Sequence, residues 1–179
     1  MAVEIEKKYR LDQSLAGAVA RELEAMGALF LGEDFEENII FGGKMLAENN
    51  AIIRIRKTRE KCLLTYKQRI ESTSGFKHQL EEETQVSDAE AMLRILGLLG
   101  FQQRVVYEKR RRTWRFRDTE VMLDELPFGF FAEIEGSITA IREAELLLGL
   151  EGAETEHKTY PLLASECGKQ NGNIIEARF

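Results

Sequence analysis

The chain has 179 residues, the length of one domain or two small ones, and it is long enough to bury a sizeable core. Its net charge of -6 disfavours a general nucleic-acid binder, because such proteins are usually basic. The two cysteines, Cys62 and Cys167, lie far apart without CxxC spacing and are expected to be reduced thiols. No secretory signal or membrane-spanning run is present, so we expect a cytoplasmic protein.

The predicted elements follow one another at short spacing, which favours antiparallel strand pairing over βαβ units. In chain order they are a strand at 3–11, a helix at 14–26, strands at 28–31, 37–41, 51–59 and 61–70, a polar loop at 71–75, a strand at 77–86, a helix at 87–99, strands at 101–112, 113–117, 120–126 and 130–136, and helices at 139–148 and 161–167. Ser87 and Glu90 are the ends of a predicted capping box for the second helix.

Charged residues recur at positions i and i+2 of many predicted strands, so they share one face of each strand. The pairs are Glu4 and Glu6 with Lys8 following, Arg54 and Arg56, Lys67 and Arg69, Glu81 and Glu83, Lys109 and Arg111, Arg115 and Arg117, and Glu133 and Glu135. The opposite faces are apolar in several strands, as at Ile53 and Ile55. A solvated outer face explains any single pair, but the set favours a closed β-barrel with a charged lumen and helices outside.

Two groups of charged residues suggest a chemistry for this lumen. Carboxylate oxygens without Cys or His suit hard cations such as Mg²⁺ or Mn²⁺. The acidic group is Glu4, Glu6, Glu81, Glu83, Asp124, Glu133 and Glu135, and the basic group is Lys8, Arg54, Arg56, Lys67, Lys109 and Arg111. Arginine binds phosphate oxygens in bidentate geometry and lysine acts as a point charge, so six converging cations match a chain of phosphates.

Simpler explanations of the basic group remain open. Interleaved surface salt bridges are common and contribute little to stability. The basic run at 109–112 is also compatible with a nucleic-acid patch, although strand alternation divides it between two faces.

The motifs of the chain resemble those of the CYTH superfamily, also called triphosphate tunnel metalloenzymes. The opening EIEKK at 4–8 is similar to the ExExK signature of that family. The other similar motifs follow in the family's order: IRIR at 53–56, YK at 66–67, EEE at 81–83, KRR at 109–111, and LD at 123–124 followed by EIE at 133–135. The resemblance implies one domain over 1–179, with an α+β fold in which an eight-stranded antiparallel β-barrel forms a tunnel and helices pack outside.

The resemblance also implies roles for individual residues. One or two Mg²⁺ or Mn²⁺ ions would be bound by Glu4, Glu6, Glu133 and Glu135, with Asp124 as a fifth ligand. The phosphates of the substrate would be held by Lys8, Arg54, Arg56, Lys67, Lys109 and Arg111. Glu81 and Glu83 would join Glu4, Glu6 and Lys8 in catalysis by binding metal, orienting water or balancing arginines, and Lys158 would guard one mouth of the tunnel.

Hydrolysis and cyclisation need the same clamp and the same metals, so the motifs alone do not separate triphosphatases from class IV adenylate cyclases. Some cyclases of the family carry a His-Phe pair before ExExK, whereas residues 1–3 here contain none. No adenine-reading element is obvious either, so a metal-dependent triphosphatase is the expected function, with a class IV adenylate cyclase as the alternative.

The expected partner is a small triphosphate (inorganic triphosphate, thiamine triphosphate or a nucleotide), with no nucleic acid or membrane, in a monomer or homodimer. A non-catalytic polyphosphate- or nucleotide-binding module and an interaction protein with solvated charges are the remaining alternatives.

Overall fold

The fold is dominated by a closed ring of eight antiparallel strands, in a computed structural model that describes residues 2–70 and 77–179. The predicted loop at 71–75 lies outside the described residues. The ring strands are β1 (Ala2–Leu11), β2 (Leu29–Gly42), β3 (Ala51–Lys57), β4 (Cys62–Ile70), β5 (Lys77–Val86), β6 (Gln102–Phe116), β7 (Thr119–Leu126) and β8 (Gly129–Gly136). They pair in the order β6-β2-β3-β4-β5-β1-β8-β7, and β7 pairs back with β6. The predicted eight-stranded antiparallel arrangement is confirmed.

Five helices and three short strands accompany the ring in the described residues. The helices are α1 (Gln13–Ala25), α2 (Lys44–Glu48), α3 (Ala89–Leu98), α4 (Ile138–Leu147) and α5 (Tyr160–Cys167), and the short strands are β9 (Glu154–Thr155), β10 (Lys169–Asn171) and β11 (Ile174–Ala177). β9 pairs with β1, while β11 runs parallel to β6 and carries β10 on its other edge. Helix α2 and these short strands were not predicted. None of the helices in the described ranges is long and apolar enough to cross a bilayer.

Two ring strands are longer than the sequence predicts. β2 is continuous where two strands were expected at 28–31 and 37–41, and β6 is continuous where 101–112 and 113–117 were separated. The two strands pair with each other over nearly their whole length. The pairing register between β2 and β6 shifts between Phe30 and Gly32, as at a β-bulge. Gly32 has a φ of 146°, which residues other than glycine rarely adopt.

The helices that cover the ring have side-chain caps at their N-termini. The Asp12 carboxylate accepts a hydrogen bond from the Leu15 amide at 2.7 Å at the start of α1. In α3 the Asp88 carboxylate accepts from the Ala91 amide at 2.9 Å, so Asp88 is the N-cap. The predicted Ser87–Glu90 capping box is therefore wrong by one residue. The carboxylate of Asp88, and not the hydroxyl of Ser87, caps the helix.

The apolar faces of the ring strands point outward and pack against helices. Val19 of α1 and Ile141 of α4 lie in one buried cluster with Ile134 of β8. Leu96 of α3 lies in another with Ile55 of β3. Because successive side chains of a strand alternate between faces, the charged neighbours of these residues point into the ring.

A third apolar cluster fills one end of the ring. It joins side chains from the inner faces of the strands to helix α5. Its buried members are Ile40, Val105, Tyr107, Leu126, Phe131, Tyr160, Leu163, Ala164 and Ala177. Charged side chains line the ring next to this apolar end, and they form the site described below.

Candidate active site

A cavity of about 230 Å³ lies inside the ring, and charged side chains form most of its wall. The predicted site residues that line it are Glu4, Glu6, Lys8, Arg54, Arg56, Lys67, Glu81, Glu83, Lys109, Arg111, Glu133 and Glu135. Lys8, Arg54, Lys109 and Glu133 are buried, so a solvated outer face does not explain them. Among the predicted site residues only Asp124 is missing from this lining.

Three carboxylates lie side by side on adjacent strands at the acidic side of the cavity. Glu135 of β8 is directly opposite Glu6 of β1 on one side and Glu120 of β7 on the other. Burial, together with the negative charges of Glu6 and Glu120, raises the pKa of Glu135. Like charges directly opposite each other destabilise a sheet, so this part of the wall favours a bound cation.

Glu4 and Glu81 form a second close pair of carboxylates. Burial and a hydrogen bond with Glu81, reinforced by the charges of Glu81 and Glu135, raise the pKa of Glu4 to about 8. The Lys67 ammonium contacts Glu81 and lies 3.6 Å from a Glu4 oxygen. Glu4 therefore holds a proton that a bound metal ion would displace.

The donor set fits a hard divalent cation in its chemistry. No group of three or more His, Cys, Asp or Glu side chains is already arranged for a metal ion in the part of the chain that the structure describes. The carboxylates of Glu4, Glu6, Glu133 and Glu135 nevertheless line one cavity. The crowding of Glu4, Glu6 and Glu135 is the condition that a cation relieves, whereas Glu133 already pairs with Lys8 and Arg111. Oxygen donors of this kind suit Mg²⁺ or Mn²⁺.

The guanidinium groups of β3 supply buried donors that lack partners. Arg54 lies 3.5 Å from Glu81 and 3.6 Å from Glu83, and it donates a hydrogen bond to the Thr65 hydroxyl at 3.3 Å. The Nε atoms of Arg54 and Arg56 are buried without a hydrogen-bond partner among the described residues, although Arg56 Nε lies 3.6 Å from a Glu36 oxygen. Burial and the neighbouring Arg56 lower the pKa of Arg54. An oxyanion in the cavity would accept hydrogen bonds from these donors and offset the repulsion between the two guanidinium charges.

Lys109 and Arg111 form the basic wall on β6. Burial and the nearby Arg111 charge lower the pKa of Lys109 to about 8, although Lys109 lies 3.2 Å from Glu36 and 3.7 Å from Asp124. Burial alone would lower the pKa of Arg111, but its contacts with Asp124 and Glu133 raise it. Arg111 is therefore a permanent cation, while Lys109 is the cation that a bound anion would stabilise most.

The Asp124 carboxylate is committed to protein donors. Arg111 donates to Oδ1 at 2.7 Å and to Oδ2 at 2.6 Å, and the Tyr160 hydroxyl donates to Oδ2 at 2.7 Å. Asp124 would have to exchange these partners to ligate a metal ion. Its observed contacts favour a role in which Asp124 positions Arg111 and Tyr160.

The sequence interpretation did not identify Glu36 as part of the site. Glu36 is buried on β2 beside Lys109 and Arg56, and it accepts a hydrogen bond from Asn38 at 3.1 Å. Burial would raise the pKa of Glu36, but the two cations and Asn38 hold it well below its ordinary value. Glu36 and Asn38 share one strand face at i and i+2 spacing within the mainly polar run 33–38, and this spacing was the signal that could have identified them.

Some predicted charges lie away from the cavity. Arg69, Arg115 and Arg117 are exposed and are not among the lining residues. The Lys158 ammonium pairs with Glu166 at 2.7 Å instead of facing the cavity. Only the Lys158 carbonyl reaches the site, where it accepts a hydrogen bond from Lys8 at 3.2 Å.

Comparisons with known proteins agree with this architecture. The chain is 31% identical over 150 residues, 82% of this chain and 83% of the other, to the Methanocaldococcus jannaschii protein named "Putative adenylate cyclase MJ0240". The PH1012 protein of Pyrococcus horikoshii has 26% identity, a TM-score of 0.78, and coverage of 89% of this chain and 98% of that chain. A Hippeastrum protein, described as a "putative adenylyl cyclase" that reveals a dominant triphosphatase activity, has the same fold. Its identity is 20% and its TM-score 0.67, over 95% of this chain and 98% of that one.

The family assignment follows from a match along most of the chain. The sequence profile described as the CYTH domain matches residues 2–161, which include all eight strands of the ring and every charged residue that lines the cavity. The chain therefore belongs to the CYTH domain family.

Proposed function

We propose that the protein is a metal-dependent triphosphatase that hydrolyses the terminal phosphate of a triphosphate substrate inside the ring. The observation that carries this proposal is the cavity itself, in which six cations face a set of crowded carboxylates. The buried Nε atom of Arg54, which has no hydrogen-bond partner among the described residues, supports a multiply charged oxyanion as the occupant. The raised pKa of Glu4 beside Glu81 supports a divalent cation next to it.

We assign different roles to the basic and the acidic residues of the cavity. Arg54, Arg56 and Lys109 bind phosphate oxygens, while Lys8 and Arg111 stabilise the charge that develops on the transferred phosphoryl group. When bound by Glu4, Glu6, Glu133 and Glu135, Mg²⁺ or Mn²⁺ polarises phosphoryl oxygens and lowers the pKa of water. Glu83, partly exposed beside Arg54, would orient water.

A class IV adenylate cyclase is the second candidate, because the Methanocaldococcus jannaschii relative carries an adenylate cyclase name. The cavity supports a cyclase less well than it supports a triphosphatase. Of the aromatic rings that line the described cavity, Tyr107 is 2% exposed and Tyr160 is covered by the Lys8 ammonium, so neither offers a free face for adenine. The Hippeastrum neighbour also unites a cyclase name with a dominant triphosphatase activity.

Turnover of defined substrates tests the proposal. The purified protein is incubated with inorganic triphosphate, thiamine triphosphate and ATP, each with Mg²⁺ and with Mn²⁺, and phosphate, pyrophosphate and cyclic AMP are measured. We expect metal-dependent phosphate release. Cyclic AMP with pyrophosphate as the main product would favour the cyclase. Tight triphosphate binding without turnover would identify a binding module instead.

Arg56→Ala is expected to weaken substrate binding more than it slows the chemical step. The removed guanidinium makes a charged hydrogen bond to phosphate, which is worth about 1.5–3 kcal/mol. KM should therefore rise by roughly 10- to 100-fold with a smaller change in kcat. Arg69→Ala is the matched control, since Arg69 is an exposed ring residue outside the cavity lining. Similar KM values for the two variants would contradict the phosphate clamp.

The metal-free protein is expected to lose stability as the pH rises from about 5 to 8. Within this window Glu4, whose pKa is about 8, keeps its proton only when the chain is folded. The folded state then binds more protons than the unfolded state, so the free energy of unfolding falls with rising pH. Thermal melting with EDTA should show this slope, and saturating Mn²⁺ or Glu4→Gln should reduce it. An unchanged slope in Glu4→Gln would exclude Glu4 as its source.

A further inference from the structure

Tyr160 lies where helix α5 meets the cations of the cavity. The Lys8 ammonium is 3.6 Å from the centroid of the Tyr160 ring, within the range of a cation–π contact. On the other side, the Tyr160 hydroxyl donates a hydrogen bond to Asp124 Oδ2 at 2.7 Å. All three side chains are buried, so solvent screens neither contact strongly.

The surroundings of Tyr160 hold its ring in one orientation. Phe131 packs edge-on against the ring at 5.3 Å between centroids, and Tyr107 packs at 6.4 Å. Tyr160 is also the first residue of α5, directly after the N-cap Thr159. Burial and the Asp124 charge raise the pKa of Tyr160 far above its ordinary value, so the hydroxyl stays protonated and can only donate to Asp124.

The remaining contacts of Lys8 explain why the ring matters. Its ammonium also donates to the Lys158 carbonyl at 3.2 Å and lies 3.2 Å from Glu133. The ammonium therefore lies between the Tyr160 ring and the Glu133 carboxylate and contacts both. Without the ring, only Glu133 and the Lys158 carbonyl would hold the ammonium, and Glu133 is itself a proposed metal ligand.

We propose that Tyr160 is a positioning residue that couples the docking of α5 to the phosphate-binding cations. Its ring face, together with Glu133 and the Lys158 carbonyl, fixes the position of the Lys8 ammonium. Its hydroxyl braces Asp124, which in turn fixes the Arg111 guanidinium. The consequence for substrate binding rests on the proposed function, but the position of Lys8 in the free protein does not.

Two substitutions separate the ring from the hydroxyl. Tyr160→Phe keeps the ring face over Lys8 and removes only the hydrogen bond to Asp124. Tyr160→Leu removes both. Leu163→Ala is the control for α5 docking, because Leu163 is buried on the same helix in the same apolar cluster and its side chain has no polar group to bind Lys8 or Asp124.

The first readout is the NMR signal of the Lys8 ε-methylene in the metal-free protein without substrate. A lysine above an aromatic face has an upfield-shifted signal from the ring current. We expect that shift in the wild type, Tyr160→Phe and Leu163→Ala, and its loss in Tyr160→Leu. The second readout is the affinity for inorganic triphosphate in EDTA. It should fall by about thirtyfold in Tyr160→Leu, the equivalent of a desolvated cation–π contact, and by less than about tenfold in Tyr160→Phe.

Two results would overturn the inference. One is a wild-type Lys8 signal without the upfield shift, since the ammonium would then not lie over the Tyr160 ring. The other is an equal loss of triphosphate affinity in Leu163→Ala, since the effect would then come from α5 docking alone. A wild-type protein that binds no triphosphate would refute the proposed function, while the Lys8 signal would still decide the role of Tyr160.

Discussion

Glu4→Gln and Glu6→Gln are each expected to reduce metal-dependent turnover by roughly a thousandfold, the equivalent of several kcal/mol of lost charge stabilisation. A neutral amide is a weaker ligand than a carboxylate for Mg²⁺ or Mn²⁺. The fold should remain intact, because Glu6 faces the like charge of Glu135 and Glu4 faces Glu81. The melting temperature without metal should therefore stay the same or rise.

Glu82→Gln is the matched control for these variants. Glu82 is an exposed residue of β5 between Glu81 and Glu83, and strand alternation directs it away from the cavity. Phosphate release, calorimetric Mn²⁺ titration and thermal melting should be measured on all three proteins. Equal turnover in Glu4→Gln, Glu6→Gln and Glu82→Gln would contradict the proposed site.

Asp124→Ala is expected to cause the largest loss of stability among single changes at the site. It leaves Arg111 and Lys109 buried with one fewer counter-charge, and Tyr160 without its acceptor. Breaking a buried charge pair by removing one partner costs about 3–5 kcal/mol. For a domain of this size, the melting temperature should fall by on the order of 10 °C.

The next residue on the same strand is the control for Asp124. Glu125 pairs with Arg110 at 3.3 Å on the surface, and Glu125→Ala should cost about 0–1 kcal/mol. Urea unfolding of the metal-free proteins measures both losses. If Asp124 acts chiefly as a metal ligand, Asp124→Ala would instead melt normally in EDTA and lose only the stabilisation that Mn²⁺ provides.

The local alternation of residue types was sufficient to predict much of the fold. Alternating residues such as Arg54, Ile55 and Arg56 predict both a strand and the faces it presents, because side chains of a strand alternate whatever the strand pairs with. The prediction that the charged faces point inward and the apolar faces meet helices is confirmed at Ile55 and Ile134. Boundaries were less well predicted where pairing, as between β2 and β6, extends a strand through a break in its pattern.

The residues that organise the site were harder to predict than those that line it. Glu36 pairs with Lys109 and Tyr160 with Asp124, each more than 35 residues away along the chain, and Asp124 meets Arg111 only because β6 and β7 pair in one register. Helix α5 and the parallel strand β11 likewise derive their positions from distant contacts. No spacing along the chain encodes these distances.

The amino-acid order by itself determined the strand faces, the opposing sets of acidic and basic side chains and, through its motifs, the family. The tertiary structure alone decided which charges neutralise one another and which stay without a partner. The physical reason is that a strand's alternation is a local property of its backbone, whereas the charge state and partners of a buried group depend on every residue that closure of the ring brings against it.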